Sequence, residues 1–530
     1  MSLPGFRCES AGRDKPCPYT VKARISDSDM RLLGIDTGTG GTRAVVIDER
    51  GKVIASATSE HEPFASPQPL WAEQDPRDWW RASVAAVQAV LATPGVKAGD
   101  IAAVGLTGQM HGSVLLDESG EVLRPALIWC DQRTDTQCQA ITEKIGAARL
   151  IELTSNPAIT GFTLPKLQWV LESEPELWSR VRSILLPKDY IRFCLTGERA
   201  TDVADASGTL LFNVAKRCWS DEMLNATEID KRWLPTAFES TDFTGAVSLQ
   251  GAAATGLRAG TPVVAGAGDQ AAGAVGMGIV KAGMVSATIG TSGVVFAATS
   301  QPSLDPLGRI HTFCHAVPGR WHVMGVTQAA GLSLRWFRDR FGAGGDDGRD
   351  PYERLTEEAS SVPGADGLLW APYLMGERTP HLDPRARGAL IGLTASHTRA
   401  HVIRAILEGV AFSLRDTLTV FKEINVPVET IRLGGGGARS VLWRQIQADV
   451  YGQPVEILAA EEGAAFGAAL LAGVGTGVWS SVDEACEGAV RVSAQIEPDK
   501  TSASLMEEQY TRFRAIYPAL RAISGTDLSL

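Results

Sequence analysis

The amino-acid sequence predicts an α/β protein of two similar domains, each a mixed sheet flanked by helices, with a cleft between them. Three observations carry that expectation. The chain has 530 residues, more than one ordinary hydrophobic core supports and enough for two large domains. From residue 31 a short apolar strand, a glycine–threonine turn and a returning strand open a series of strands and helices. About 250 residues later, from residue 284, the same strand–turn–strand pattern returns. A duplicated unit places a natural ligand cleft between its copies. The reading divides the chain into residues 30–281 and 282–530, with residues 1–29 an extension outside the fold, disordered or tag-derived.

In chain order, Arg31–Ile35 is a short apolar strand. It runs through Asp36-Thr37-Gly38-Thr39-Gly40-Gly41-Thr42 into a second strand, Arg43–Ile47. A turn at Asp48-Glu49-Arg50-Gly51 leads to a third, Lys52–Ala57, so the three form an antiparallel meander. A helix over Pro76–Ala92 follows, with Asp75 as its N-cap and Pro76 in first position. The strand Ile101–Leu106 comes next. A meander followed by helix–strand units gives an α+β or mixed sheet, not a simple βαβαβ run. In the second half, Met284–Ile289 and Val294–Ala298 are strands around Gly290-Thr291-Ser292-Gly293. Apolar residues at helical spacing predict a helix over His401–Thr417. The strand Thr430–Leu433 ends in Gly434-Gly435-Gly436-Gly437, and a helix begins near Ser440.

Composition excludes several classes of function. The chain is 44% hydrophobic and 21% charged, with a formal net charge of −11 and no long run of Lys and Arg. Nucleic acid and anionic membrane are therefore not the expected partners. Eight cysteines are scattered without a CxxC pair, which reads as reduced thiols in a cytoplasmic protein. No stretch approaches the ~18 apolar residues of a membrane span. No GxxxxGK[ST], GxSxG or HExxH sequence occurs, so phosphate binding would fall to other glycine turns.

Three such turns stand at the ends of apolar strands, where glycine lets backbone N–H groups approach an anion. Asp36 directly precedes the first. It is either a turn-capping residue or a carboxylate for a hydrated magnesium ion. Asp269 follows the apolar run Pro262–Gly266 and precedes a small-residue helix, Gln270–Met277. It is either an N-cap or a general base on a rigid strand end. Gly108-Gln109-Met110-His111-Gly112 sets polar, thioether and imidazole groups between glycines, in a ligand loop or a structural one. His311 and His315 on an extended strand would lie ~13 Å apart, too far to share an ion.

Together these segments resemble the FGGY family of carbohydrate kinases, and within it members acting on D-xylulose, over residues 31–520. The likeness rests on Gly34-Ile35-Asp36-Thr37-Gly38-Thr39, Leu70-Trp71-Ala72-Glu73-Gln74-Asp75-Pro76 and Gly108-Gln109-Met110-His111-Gly112. It extends through Gly161–Trp169, Leu186-Pro187-Lys188-Asp189-Tyr190, Gly376–His381 and Gly388–Glu408. The resemblance implies duplicated actin/hexokinase-like (ribonuclease H-like) domains closing over a cleft, and ATP and Mg²⁺ as co-substrate and metal. It implies that Asp269 is the catalytic base and that Asp36 holds Mg²⁺ through water. Gln109, Met110, His111, Gln270, Trp129 and Asp131, with Asp269, fall on the sugar side. Thr37, Gly38, Thr39, Gly290, Thr291, Ser292, Gly293, Gly435, Gly436, Gly437 and Ala438 fall around ATP. Assembly is left open, with a homodimer as one arrangement. Two departures bear on the sugar: Gln270 stands where relatives often have Asn, and Gly40 where many have Ser. Other kinases of the family, for ribulose, gluconate or glycerol, and a non-catalytic sugar sensor are the alternatives.

Overall fold

The computed structural model describes residues 30–342, 348–460 and 462–524. The extension assigned to residues 1–29 lies outside the described residues. Strands β1 (Arg31–Thr37), β2 (Gly41–Asp48) and β3 (Val53–Glu60) pair antiparallel in sequence, the expected meander. Helix α1 (Pro76–Leu91) starts where Asp75 accepts from the Arg77 N–H and Pro76 takes the first turn. Strand β4 (Ile101–Gly108) returns parallel to β1. Strand β5 (Phe243–Ala246) lies at the far edge, antiparallel to β6 (Pro262–Val264), which runs parallel to β4. A short β7 (Ala267–Gly268) continues along β4 and hands the chain to helix α2 (Asp269–Gly276).

The second sheet repeats this plan. Strand β8 (Gly283–Ile289) pairs antiparallel with β9 (Gly293–Thr299), and β9 with β11 (Trp321–Thr327), whose outer neighbour is β10 (His311–Cys314). After helix α3 (Arg399–Glu423), β12 (Val428–Gly434) lies parallel to β8. Helix α4 (Val441–Tyr451) leads to β13 (Val455–Leu458), parallel to β12. Helix α5 (Gly463–Gly475) then leads to β14 (Val492–Ile496), antiparallel to β13.

Six strands of each sheet share one order of polarity: two antiparallel steps, two parallel steps, then an antiparallel edge. Only the chain order of the outer pair differs, since β5 precedes β6 whereas β14 follows β13. The central strands β1, β4 and β8 are largely buried, as expected of strands covered on both faces. Ligands of such sheets bind beyond the carboxyl ends of the parallel strands. The Asp36 turn, the 108–112 loop, Asp269, the Gly290 turn and the Gly435 turn all begin at such ends. Helix α5, late in sequence, packs on β1, β4 and α2 of the first sheet. Among the described residues no helix is long and apolar enough to cross a membrane.

Candidate active site

The first turn is fixed from below. Gln109 is buried and joins β1 to β4 by donating its backbone N–H to the Thr37 carbonyl at 2.9 Å. Its side-chain amide reaches the Gly38 carbonyl at 3.3 Å and Gln74 Oε1 at 3.0 Å. Gln74 in turn donates to the Thr39 carbonyl, and the Trp129 indole N–H donates to Thr39 Oγ1 at 2.9 Å. The side chains of Gln109 and Trp129 thus bond the first glycine turn. Among the described residues the Thr39 and Gly40 N–H groups have no hydrogen-bond partner, which leaves two successive donors for an anion. A Cβ on Gly40 would meet nothing within 4 Å, so a serine there is sterically open.

Asp36 is the last residue but one of β1, beside this turn. Its Oδ1 is buried without a hydrogen-bond partner, an unusual state that a cation or its water would relieve. Burial pushes the carboxyl up to about 6, and the Arg43 guanidinium pulls the other way. Arg43 also reaches the second half of the chain, donating to the Glu462 carbonyl and pairing with its carboxylate at 3.1 Å.

Asp269 opens α2. Gly268 occupies the N-cap position with no side-chain cap, so the carboxylate of Asp269 is not the cap of this helix. Burial and then the charge of Asp36 hold its carboxyl up to about 7, while hydrogen bonds from Gln270 backbone and side chain act against them. Met110 packs against Gly268: a Cβ there would lie 2.7 Å from Met110 Cγ and 3.4 Å from Asp205 Oδ1.

Beneath this point lies a fully buried charge cluster. Lys188 Nζ lies 2.5 Å from Asp189, 2.7 Å from Asp202 and 3.6 Å from Asp205. Neither Asp205 oxygen has a hydrogen-bond partner, and burial raises that carboxyl well above the usual range. No local pattern marks the cluster: Lys188 stands on the helix Pro187–Thr196, Asp202 caps the short helix Val203–Ala206, and Asp205 lies within it.

His111 lies in the left-handed region at φ 69°. Its Nδ1 is 2.8 Å from the Gly208 carbonyl, and its ring stands edge-on to Phe162 at 4.7 Å. Burial and then the Lys166 cation push the imidazole down to about 3, so the ring is neutral at physiological pH. Asp131 is enclosed and accepts from Arg133 and from the Ala72 N–H at 2.7 Å, leaving its carboxylate occupied by protein donors. His311 lies in β10 and bonds Asn156, whereas His315 bonds the Ile279 carbonyl. Among the described residues no group of three metal-ligating side chains assembles.

On the second sheet, Gly290, Thr291, Gly436 and Gly437 line a cavity of about 350 Å³. That is within the usual range for a small-molecule site. Its walls are Leu334, Tyr352 and Trp443, with Arg335 and Glu353 at polar positions. None of these carries a motif, since each comes from an ordinary helix. Thr291 and Ser292 repeat the feature of the first turn: among the described residues neither N–H has a partner. Gly435, at φ 72°, lets the third turn close on the second, because a Cβ there would sit 2.5 Å from the Ile289 carbonyl. Ala438 is buried behind the cavity and Gly293 belongs to β9; both shape the site without lining it.

The arrangement is two N–H nests at equivalent positions of a duplicated fold, one beside Asp36, whose charge reaches Asp269, and one beside a cavity of small-molecule size. The chain is 40% identical to the xylulose kinase of Bacillus subtilis (strain 168) over 499 residues, 93% of this chain and 99% of that one. It is 39% identical to the xylulose kinase of Escherichia coli (strain K12) over 489 residues, 92% of this chain and 99% of that one. The crystal structure of xylulose kinase from Rhodospirillum rubrum superposes with a TM-score of 0.87 at 32% identity, covering 94% of this chain and all of that one. Residues 31–276 match the N-terminal domain, and residues 285–476 the C-terminal domain, of one family description. With both domains matched in order, the chain belongs to the FGGY family of carbohydrate kinases.

Proposed function

We propose that this carbohydrate kinase transfers the γ-phosphoryl group of ATP to the terminal hydroxyl of D-xylulose, giving D-xylulose 5-phosphate and ADP. The single observation that carries the reading is Asp269, a carboxylate held up to about 7 by burial and the Asp36 charge, directly after Gly268, against which Met110 packs. In this reading residues 30–281 hold the sugar and residues 282–530 the nucleotide. Asp269 takes the hydroxyl proton as the sugar oxygen attacks phosphorus, and ADP leaves on the opposite side. Phosphoryl transfer has a loose transition state, so positioning and charge neutralisation supply most of the rate. The free N–H groups of Thr39, Gly40, Thr291 and Ser292 would meet phosphate oxygens. Asp36, with its orphaned Oδ1, fits a hydrated Mg²⁺, which when bound supplies charge neutralisation at those oxygens. Leu334, Tyr352 and Trp443 would enclose the adenine.

A substrate panel tests the reading. D-xylulose is expected to give the highest kcat/KM among ribulose, glycerol, gluconate and fructose. A glycerol or gluconate advantage of about tenfold, or ~1.4 kcal/mol, would reassign the substrate within the family. No turnover on any sugar would favour a binding protein that kept the fold.

The state of Asp269 gives a pH dependence. A base must be unprotonated, and this carboxyl is raised, so kcat/KM for the sugar should fall as pH drops through about 7. Because the Asp36 charge is one cause of the raised value, Asp36→Asn should move that acidic limb to lower pH, whatever its effect on the maximum. A limb that stays in place would separate the two carboxylates.

A further inference from the structure

Lys166 stands under the sugar loop on the helix Thr163–Ser173, with no exposed surface. Among the described residues it has no carboxylate within ion-pairing distance; the nearby Asp131 carboxylate is held by Arg133 and the Ala72 N–H. Its Nζ instead donates to two carbonyls, His111 at 2.9 Å and Gly161 at 2.8 Å. Thr163 Oγ1 donates to the same His111 carbonyl at 3.2 Å. A buried lysine without a counter-ion is a costly way to fill space, and an apolar side chain would fill it more stably. A histidine at φ 69° is also strained, by roughly 1–3 kcal/mol, and such strain persists where surroundings over-determine it and function uses it. These two anomalies meet at one carbonyl.

The ring of His111 completes the geometry. The Gly208 carbonyl can only accept, so the Nδ1 that lies 2.8 Å from it carries the proton. In a neutral ring Nε2 is then a lone-pair acceptor, and among the described residues it has no partner. We propose that Lys166 is a positioning residue for sugar recognition: it clamps the His111 backbone in its left-handed conformation and so presents Nε2 as an acceptor for a sugar hydroxyl. The proposal rests on the reading of the 108–112 loop as the sugar side. It assigns His111 a preference for a hydroxyl, which donates, over a carbonyl, which cannot.

The test uses the full chain and three variants: Lys166→Met, His111→Ala and the double variant. Lys166→Met should raise the KM for the ketose about tenfold, the worth of one well-placed hydrogen bond, and leave the KM for ATP unchanged. Its melting temperature should change little: an amine that burial pushes down to about 7 is removed, the His111 carbonyl keeps Thr163 Oγ1, and only the Gly161 carbonyl loses its donor. The double variant should be no worse than His111→Ala, since a residue acting through another adds nothing once that other is gone. An unchanged ketose KM, an equal rise for both substrates, or additive losses in the double variant would each overturn the proposal. If Lys166→Met does not fold, ¹⁵N NMR of the wild-type imidazoles decides: an Nε2–H tautomer at His111 sinks the idea, and an Nδ1–H tautomer supports it. Should another sugar win the panel, the same kinetics are run with that sugar, so failure of the D-xylulose reading and failure of this proposal remain distinct.

Discussion

Asp269→Asn is expected to lower kcat by about 10²–10⁴-fold while leaving the fold and nucleotide binding intact. Asn is nearly isosteric with Asp and cannot accept a proton at neutral pH, so the base is lost outright. The loose transition state needs the proton moved late, which favours the lower part of that range. The helix does not depend on this carboxylate, because Gly268 occupies its N-cap. Stability should even improve at alkaline pH. The folded-state value of about 7 lies above the ordinary 3.8, so the folded protein binds a proton that the unfolded chain has released. The wild type therefore loses stability as pH rises towards and past 7, and Asn removes that penalty. The nucleotide Kd should not change, since the cavity at Gly290 and Gly436 belongs to the other sheet. The measurements are kcat, melting temperature at two pH values, and the ADP Kd. Turnover within about threefold of wild type in a stable variant would leave Asp269 no catalytic part.

What the sequence disclosed follows the range over which each signal acts. The meander, α1 with its Asp75 cap, β8, β9 and β12 were legible because their apolar runs and turns are local. Helix α3 extends to Arg399–Glu423, beyond the expected His401–Thr417, because Leu418, Val420 and Phe421 keep the buried face going. Helix α2 begins at Asp269, one residue before the expected start, because Gly268 takes the cap. The edge strands β5 and β14 and the neighbouring β13 are only four or five residues long, so only pairing reveals them. At the site, the glycine turns and the two aspartates stood out by type and position. Lys166, Lys188 and Asp205 did not, since nothing in the sequence says that these charged side chains are fully buried. The buried amide of Gln109, bonded under the first turn, shows the same limit, since its partners Gly38 and Gln74 lie 71 and 35 residues away.

The second large effect is expected at Gly467, where α5 crosses α2. A Cβ on Gly467 would lie 1.8 Å from the Ala272 carbonyl oxygen, and one on Gly276 would lie 2.7 Å from that of Gly463. On its other side α5 rests on the first sheet with equal intimacy. A Cβ on Gly34 would lie 1.8 Å from the Ala465 oxygen, and one on Gly105 would lie 1.9 Å from that of Ala468. The atoms opposed are backbone, which cannot turn aside as a side chain can. Two effects therefore compete in Gly467→Ala. Helix propensity favours alanine by about 1 kcal/mol. Overpacking against fixed backbone costs typically ~1–3 kcal/mol and occasionally more, and here the overlap is deep enough to force the helices apart. Overpacking should win, with a net loss of at least about 2 kcal/mol in urea denaturation. Because α2 begins at Asp269, the same displacement should lower kcat at temperatures where the variant is still folded. Gly273→Ala, on α2, is the control, since its Cβ would meet nothing within 4 Å. That variant should keep its activity and gain up to about 1 kcal/mol from propensity alone. If Gly467→Ala matches Gly273→Ala in both stability and kcat, the crossing is looser than its distances imply, and close backbone contact is not what holds Asp269 in place.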